Sequence, residues 1–171
     1  MSLFIRIALP SDIPMLLDLN SASFREYAAL VGIQPDQFAP LTENEEDIES
    51  DLRKKKIWIG FYNKTKAIGS IRCQILPDNV AYISRFSVLP NWQQVGMGNA
   101  LMQTAETFCM ENGVAAMALH TCTKLLSQVR FYTAQGYFVH STTQDRGYIR
   151  GLFIKELSSD VPYSLDTVIS Y

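Results

Sequence analysis

The chain has 171 residues, of which 47% are hydrophobic and 19% charged, and its formal net charge is −2. That size fits one domain with a core large enough to need no staples, and the hydrophobic content argues against disorder. The charge balance offers no electrostatic footprint for nucleic acid. The one basic run, Arg53-Lys54-Lys55-Lys56, reads as the solvated C-terminal end of a helix.

In chain order, Leu3 to Ile7 reads as a short strand. Ser11 is placed to cap a helix whose first turn tolerates Asp12 and Pro14. Ile13, Leu16, Leu17, Phe24, Tyr27 and Ala28 give that helix a partial apolar stripe, and Gly32 and Pro35 break it. Thr42 and Glu45 have capping-box spacing and predict a second helix to about Lys55, with Ile48 and Leu52 as its thin apolar face. Its acidic start, Glu43, Glu45, Glu46, Asp47 and Glu49, complements the helix dipole, and a cationic substrate such as a polyamine could also exploit it.

Three strands follow: Ile57 to Asn63, Ala67 to Leu76 and Val80 to Val88, joined by Lys64-Thr65-Lys66 and Pro77-Asp78-Asn79. Tight turns between them imply an antiparallel meander. After Pro90 the pattern becomes helical, with Leu101, Ala105, Phe108 and Cys109 on one face and Asn112-Gly113 as the stop. Ala115 to Thr121 reads as a buried strand, and Leu125 to Gln135 as a short helix ended by Gly136. Two strands near Tyr137–Thr142 and Gly147–Leu157, turning around Asp145 to Gly147, complete the core. The expected class is α+β, with a mixed, mostly antiparallel sheet flanked by helices in the order β-α-α-β-β-β-α-β-α-β-β. Residues 1–157 form the domain, and residues 158–171 form a tail packed on it or on a partner subunit.

Cys73, Cys109 and Cys122 are odd in number and form no C-x-x-C pair, which suits reduced thiols in a cytoplasmic protein. His120 and His140 lack metal-ligand spacing, and no metal site is expected. No apolar run approaches the roughly 20 residues of a membrane span, and no membrane association is expected.

The segment Gln93-Gln94-Val95-Gly96-Met97-Gly98 lies between a strand and a helix. Free N–H groups and the dipole at a helix start favour an anion, and glycines there remove obstructing side chains and permit unusual φ values. It is not a Walker A loop, since no Gly-Lys-Ser/Thr follows. It is not the full dinucleotide fingerprint either, since Leu101 stands at the third glycine position. About thirty residues on comes Arg130-Phe131-Tyr132-Thr133-Ala134-Gln135-Gly136-Tyr137-Phe138.

The first segment fits Q/R-x-x-G-x-G/A, the second is similar to the common FY-x-x-x-GF with Tyr137 after the glycine, and with the element order the constellation resembles the GCN5-related N-acetyltransferase family from Leu3 to about Leu157. The resemblance implies acetyl-CoA as cofactor, CoA as product, and acetyl transfer to a primary amine of a small molecule or peptide by direct attack in a ternary complex. It implies that the backbone of Phe86, Ser87 and Val88 lies along the pantetheine arm. Gln93, Gln94, Val95, Gly96, Met97, Gly98 and Asn99 would hold the pyrophosphate, and catalytic Tyr132 would stand at the sulfur. Three departures accompany it. Arg85 stands where relatives often carry a glutamate, and arginine is no base at working pH; it could instead bind a substrate carboxylate. Leu125 replaces the usual asparagine, with Ser127 or Gln128 able to supply the polar contact. Gln94 and Val95 stand where many relatives have Gly-Lys. Phe24, Tyr27, Tyr82, Tyr148 and Arg150 are further acceptor-pocket candidates, and a homodimer is left open. The alternative reading is a CoA-binding sensor or regulatory module without turnover.

Overall fold

The computed structural model describes residues 2–171. The sheet has seven strands: β1 (Leu3–Ile7), β2 (Lys56–Tyr62), β3 (Lys66–Leu76), β4 (Val80–Val88), β5 (Ala116–Cys122), β6 (Phe138–Thr143) and β7 (Arg150–Glu156). Their spatial order is β1-β2-β3-β4-β5-β7-β6. All neighbours are antiparallel except β4 and β5. This is the expected mixed, mostly antiparallel α+β sheet.

Helices α1 (Ile13–Val31), α2 (Ala39–Thr42), α3 (Glu45–Lys54), α4 (Met97–Glu111) and α5 (Leu126–Ala134) complete the set. One core layer joins α4 and α5 to the sheet through Leu101, Met102, Ala105 and Tyr132 over Ile71, Ala81, Met117 and Phe153. On the other face, Leu16 and Leu19 of α1 and Ile48 of α3 cover Ile57, Ile59 and Phe61. Fully burying such side chains contributes about 1.5–3 kcal/mol each. The far half of that face is covered by residues 158–171. Val168 is fully buried against Val80, Tyr82, Ala116, Leu152 and Ile154.

Two expected caps fall elsewhere. Ser11 does not cap α1; it lies in a 3-10 turn, Pro10–Asp12, where the Asp12 carboxylate accepts hydrogen bonds from the Leu9 N–H and from the two terminal guanidinium nitrogens of Arg6. Asp12 holds the N-cap position of α1, but its carboxylate makes no bond to the helix and serves the Leu9 N–H and Arg6 instead. Thr42 closes α2 instead of opening α3. Asn44 opens α3 in a reciprocal capping box with Asp47, one turn inside the cluster of carboxylates.

The parallel β4–β5 pairing covers only Val80↔Ala116, Ala81↔Met117 and Tyr82↔Ala118. Beyond Tyr82 the strands part. A bulge in the β3–β4 ladder coincides with this: Ser70 faces Ser87 while Arg72 faces Ser84, so β4 carries an extra residue, and Arg85 within it has φ +48°. Bulges bend a strand and interrupt its pairing, which opens the sheet at its centre.

Candidate active site

The gap between β4 and β5 is the floor of a cleft of about 640 Å³. Phe86, Ser87, Val88 and Gln93 line it from β4 and the turn after it, Ser127 and Tyr132 from α5, and Phe24 and Tyr27 from α1, with Arg85 at the bulge. Leu125 and Gln128 also border it. On the β5 side of β4, backbone groups beyond Tyr82 have no strand partner. The buried hydroxyls of Ser84 and Ser87 also lack a hydrogen-bond partner among the described residues. Buried polar groups left open in this way are costly unless something binds them.

Gln94, Val95, Gly96, Met97, Gly98 and Asn99 do not line the cleft; they form the turn and the start of α4 beside it. Gly96 caps α4 at φ +93°, a region open to glycine. Gly98 departs from expectation. It lies inside the first helical turn with no positive φ, so its value is the space it leaves. A Cβ there would stand 3.5 Å from the Phe131 ring and 3.6 Å from that of Phe86, ordinary contacts. The first intrahelical bond runs from the Ala100 N–H to the Gly96 carbonyl, so the N–H groups of Met97, Gly98 and Asn99 are free of helical partners. Met97 contributes only backbone, because its side chain is fully buried and fills the space above Gly60. The Asn99 side chain accepts a hydrogen bond from Gln135, 2.8 Å, which ties α4 to the end of α5. Gln94 adopts φ +70°, the conformation that a glycine takes freely.

Tyr132 is 4% exposed and packed among Phe86, Phe131, Tyr137 and Phe153. Burial holds its phenol proton well above the ordinary tyrosine range, with the neighbouring Tyr27 and Tyr82 adding to the effect. The group is therefore a hydrogen-bond donor at any working pH.

The opposite end of the cleft is built from side chains that lie far apart in sequence. Tyr27 and Phe38 stack at 5.6 Å, with Phe24 edge-on to both. The Tyr27 hydroxyl accepts the Cys122 N–H at 3.0 Å, pinning α1 to the end of β5. Tyr82 and His120 share a 2.7 Å hydrogen bond, and Tyr171 stacks on Tyr82 at 4.4 Å. Burial pushes Tyr82 up to about 12. Burial, aided by Arg150 and Arg146 against Asp145, brings His120 down to about 4, so it is neutral at pH 7. His120, Arg146 and Tyr171 all line the cleft, and sequence reading had assigned none of them to it. Only the alternation of β5, which sets His120 on the face of Ala116 and Ala118, hinted at the first.

Beneath this end, Arg72 is fully buried and bonded to Glu43 at 2.6 and 2.8 Å and to Asp51 at 2.7 Å. Glu43 also accepts from Asn20, and Arg85 Nε lies 3.5 Å from it. Glu43 is thus committed to internal cations, which removes it from the acidic patch that a polyamine could have used.

Among the described residues, no cluster of side chains has the makings of a metal site, and no helix is long and apolar enough to cross a membrane. The fold has many solved counterparts. A PaiA N-acetyltransferase from Thermoplasma acidophilum, solved with coenzyme A, superposes with a TM-score of 0.79 at 19% identity, covering 91% of this chain and 99% of that one. Ard1 from Thermoplasma volcanium gives 0.75 at 16% identity over 93% and 100% of the two chains. The ribosomal-protein-S18-alanine N-acetyltransferase from Escherichia coli gives 0.74 at 16% over 92% and 95%. At these identities the likeness establishes the fold alone. The sequence itself matches the family model of the acetyltransferase (GNAT) family over residues 14–137. With a match over that much of its length, the chain belongs to the acetyltransferase (GNAT) family.

Proposed function

We propose that the chain is an N-acetyltransferase that moves an acetyl group from acetyl-CoA to a primary amine, both bound in the cleft at the β4–β5 gap. The observation that carries this reading is the gap itself: unpaired β4 backbone and Tyr132 border a cleft that also holds a separate side-chain pocket, and the free N–H groups opening α4 lie beside it. The residues present suit acetyl-CoA. Phe86, Ser87 and Val88 would offer strand-like backbone partners to an extended amide arm. The N–H groups of Met97, Gly98 and Asn99, with Gln93 to Gly96 as the turn before them, would take a pyrophosphate. Ser127 would add a hydroxyl at the start of α5. Bound there, acetyl-CoA supplies an activated acyl group as a thioester.

Tyr132 holds its proton and donates a hydrogen bond to a sulfur set against it. With an ordinary phenol near 10 and a thiol near 8.5, full proton transfer to a thiolate is uphill by about 2 kcal/mol, and burial of Tyr132 widens that difference. Its role is therefore to stabilise developing charge by donation, with solvent as the final proton source. The attacking amine must be neutral. Arg85, Arg146 and Arg150 all border the cleft, and nearby positive charge favours loss of the ammonium proton. This lightens the work of a base at a site where the usual glutamate position holds Arg85. The fold carries the reaction as a single unit, with Tyr171 as part of the acceptor wall.

The test is CoA release from acetyl-CoA across a panel of primary amines. Turnover that falls roughly ten- to hundredfold in Tyr132→Phe, with CoA affinity kept, supports the reading. The replacement of a carboxylate by Arg85 favours a second reading, a CoA-binding regulatory module. Tight CoA binding with no turnover of any amine would select it.

A further inference from the structure

Three of the four cations at the acceptor end of the cleft have a carboxylate partner, and none of those carboxylates lines the cleft. Arg85, Arg146, Arg150 and Lys55 line it, against a single lining carboxylate, the exposed Glu26. Lys55 is already paired with Asp51 at 3.0 Å. Arg150 is held from behind, by a Tyr171 main-chain oxygen at 2.9 Å and Asp145 at 3.4 Å, and its side chain is only 8% exposed. Its buried Nε nevertheless lacks a hydrogen-bond partner among the described residues. The same is true of the buried Nε of Arg85, whose one nearby carboxylate, Glu43, is already bonded to Arg72 and Asn20. A guanidinium is always charged and presents five donors in a planar fork suited to carboxylate and phosphate. Both guanidinium groups border the cleft, Arg85 with a side chain 25% exposed, and two such forks in one cleft suit an anion.

We infer that the acceptor amine also carries an anionic group, a carboxylate or phosphate, and that Arg85 and Arg150 bind it while the amine points toward Tyr132. This rests on the acetyl-transfer reading above and narrows its substrate class. Tyr27 and Phe38 supply an apolar wall for the stem between the two charged ends. A purely cationic acceptor such as a polyamine finds only one carboxylate in the wall, Glu26, against three arginines.

The test compares matched acceptors at saturating acetyl-CoA: glycine with glycinamide, β-alanine with β-alaninamide, and O-phosphoethanolamine with ethanolamine, with spermidine alongside. At least one anionic member is expected to exceed its neutral partner tenfold or more in kcat/KM, mainly through KM. The carboxylate and phosphate pairs show which anion is used. Arg150→Gln and Arg85→Gln should each cut that preference to about threefold or less while leaving CoA affinity unchanged, which a misfolded protein would not do. Arg150→Lys should retain part of it, because the charge survives and the fork does not. Equal turnover of both members, or preference for spermidine, would overturn the inference and leave the N-acetyltransferase reading intact. Absence of turnover with every amine would remove that reading. Binding of N-acetylglycine against N-acetylglycinamide to the CoA-loaded protein would then decide the anion site alone, and equal affinity would overturn it.

Discussion

The two ends of the cleft are made of different material. The donor end is backbone: the unpaired edge of β4 beyond Tyr82, with the free N–H groups at the start of α4 beside it. The acceptor end is side chain: Phe24 and Tyr27 from α1, Arg85 from β4, His120 from β5, Arg146 and Tyr148 between β6 and β7, and Tyr171 from the last residues. A backbone site asks only that the chain bend correctly and that nothing obstruct it. A side-chain site depends on each residue and on the charges behind it. The first tolerates substitution at Gln94 and Val95; the second should not tolerate loss of its supports.

The largest expected effect tests that dependence. Glu43→Ala leaves Arg72 buried with Asp51 as its remaining carboxylate. Removing one partner of a buried pair costs about 3–5 kcal/mol, and at about 2–4 °C per kcal/mol for a domain near this size a melt should drop by at least about 6 °C. A loss below about 1 kcal/mol would mean that the acceptor end does not hang on this network.

Next in size is Tyr132→Phe, which keeps the packing among Phe86, Phe131, Tyr137 and Phe153 and removes only the donor. The roughly ten- to hundredfold loss of turnover predicted for it should appear in kcat rather than in CoA affinity. Unchanged kcat would make Tyr132 a packing residue.

At the donor end the sign reverses. Gln94→Gly at φ +70° should stabilise the protein by up to about 1 kcal/mol by relieving left-handed strain, offset in part by the entropy of the added glycine. Clear destabilisation in a thermal melt would show that the Gln94 side chain has a structural task.

The effect of His120 is absent at neutral pH and appears only in acid. Its value near 4 in the folded state lies below the ordinary histidine value of 6.5. Between those values the unfolded chain binds the extra proton, so folding stability is lost as pH falls from about 6.5 toward 4. His120→Gln should flatten that part of the stability–pH profile, measured as Tm at pH 7 and pH 4.5. An unchanged slope would place His120 in more contact with water than the hydrogen bond to Tyr82 implies.

The same contrast explains what could be read from sequence. Alternation, turn residues and glycine stops located all seven strands and the main helices, because these signals are local. Gly96 and the Phe131-Tyr132 pair were legible for the same reason: each lies in one short segment. The Asn44 cap was missed because several residues in that acidic stretch meet the capping pattern, and only burial of Ile48 and Glu43 selects one. His120, Arg146 and Tyr171 were missed because no local pattern links them. Strand order and the bulge at Arg85 bring them to one cavity, and both depend on the whole sheet.

The most direct measurement is a thermal melt with and without acetyl-CoA, on the wild-type chain and on Gly98→Glu. A Cβ at position 98 meets only ordinary contacts and an acidic residue in the first turn favours the dipole, while its charge opposes a bound phosphate; the melt of the unliganded variant shows whether the fold accepts it. Acetyl-CoA at a hundredfold over Kd should stabilise the wild-type protein by about 2.7 kcal/mol, or about 5–11 °C, with no shift from ATP or NAD and none in Gly98→Glu. Absence of a wild-type shift at millimolar acetyl-CoA, or an equal shift in the variant, would contradict the placement of the cofactor at the start of α4.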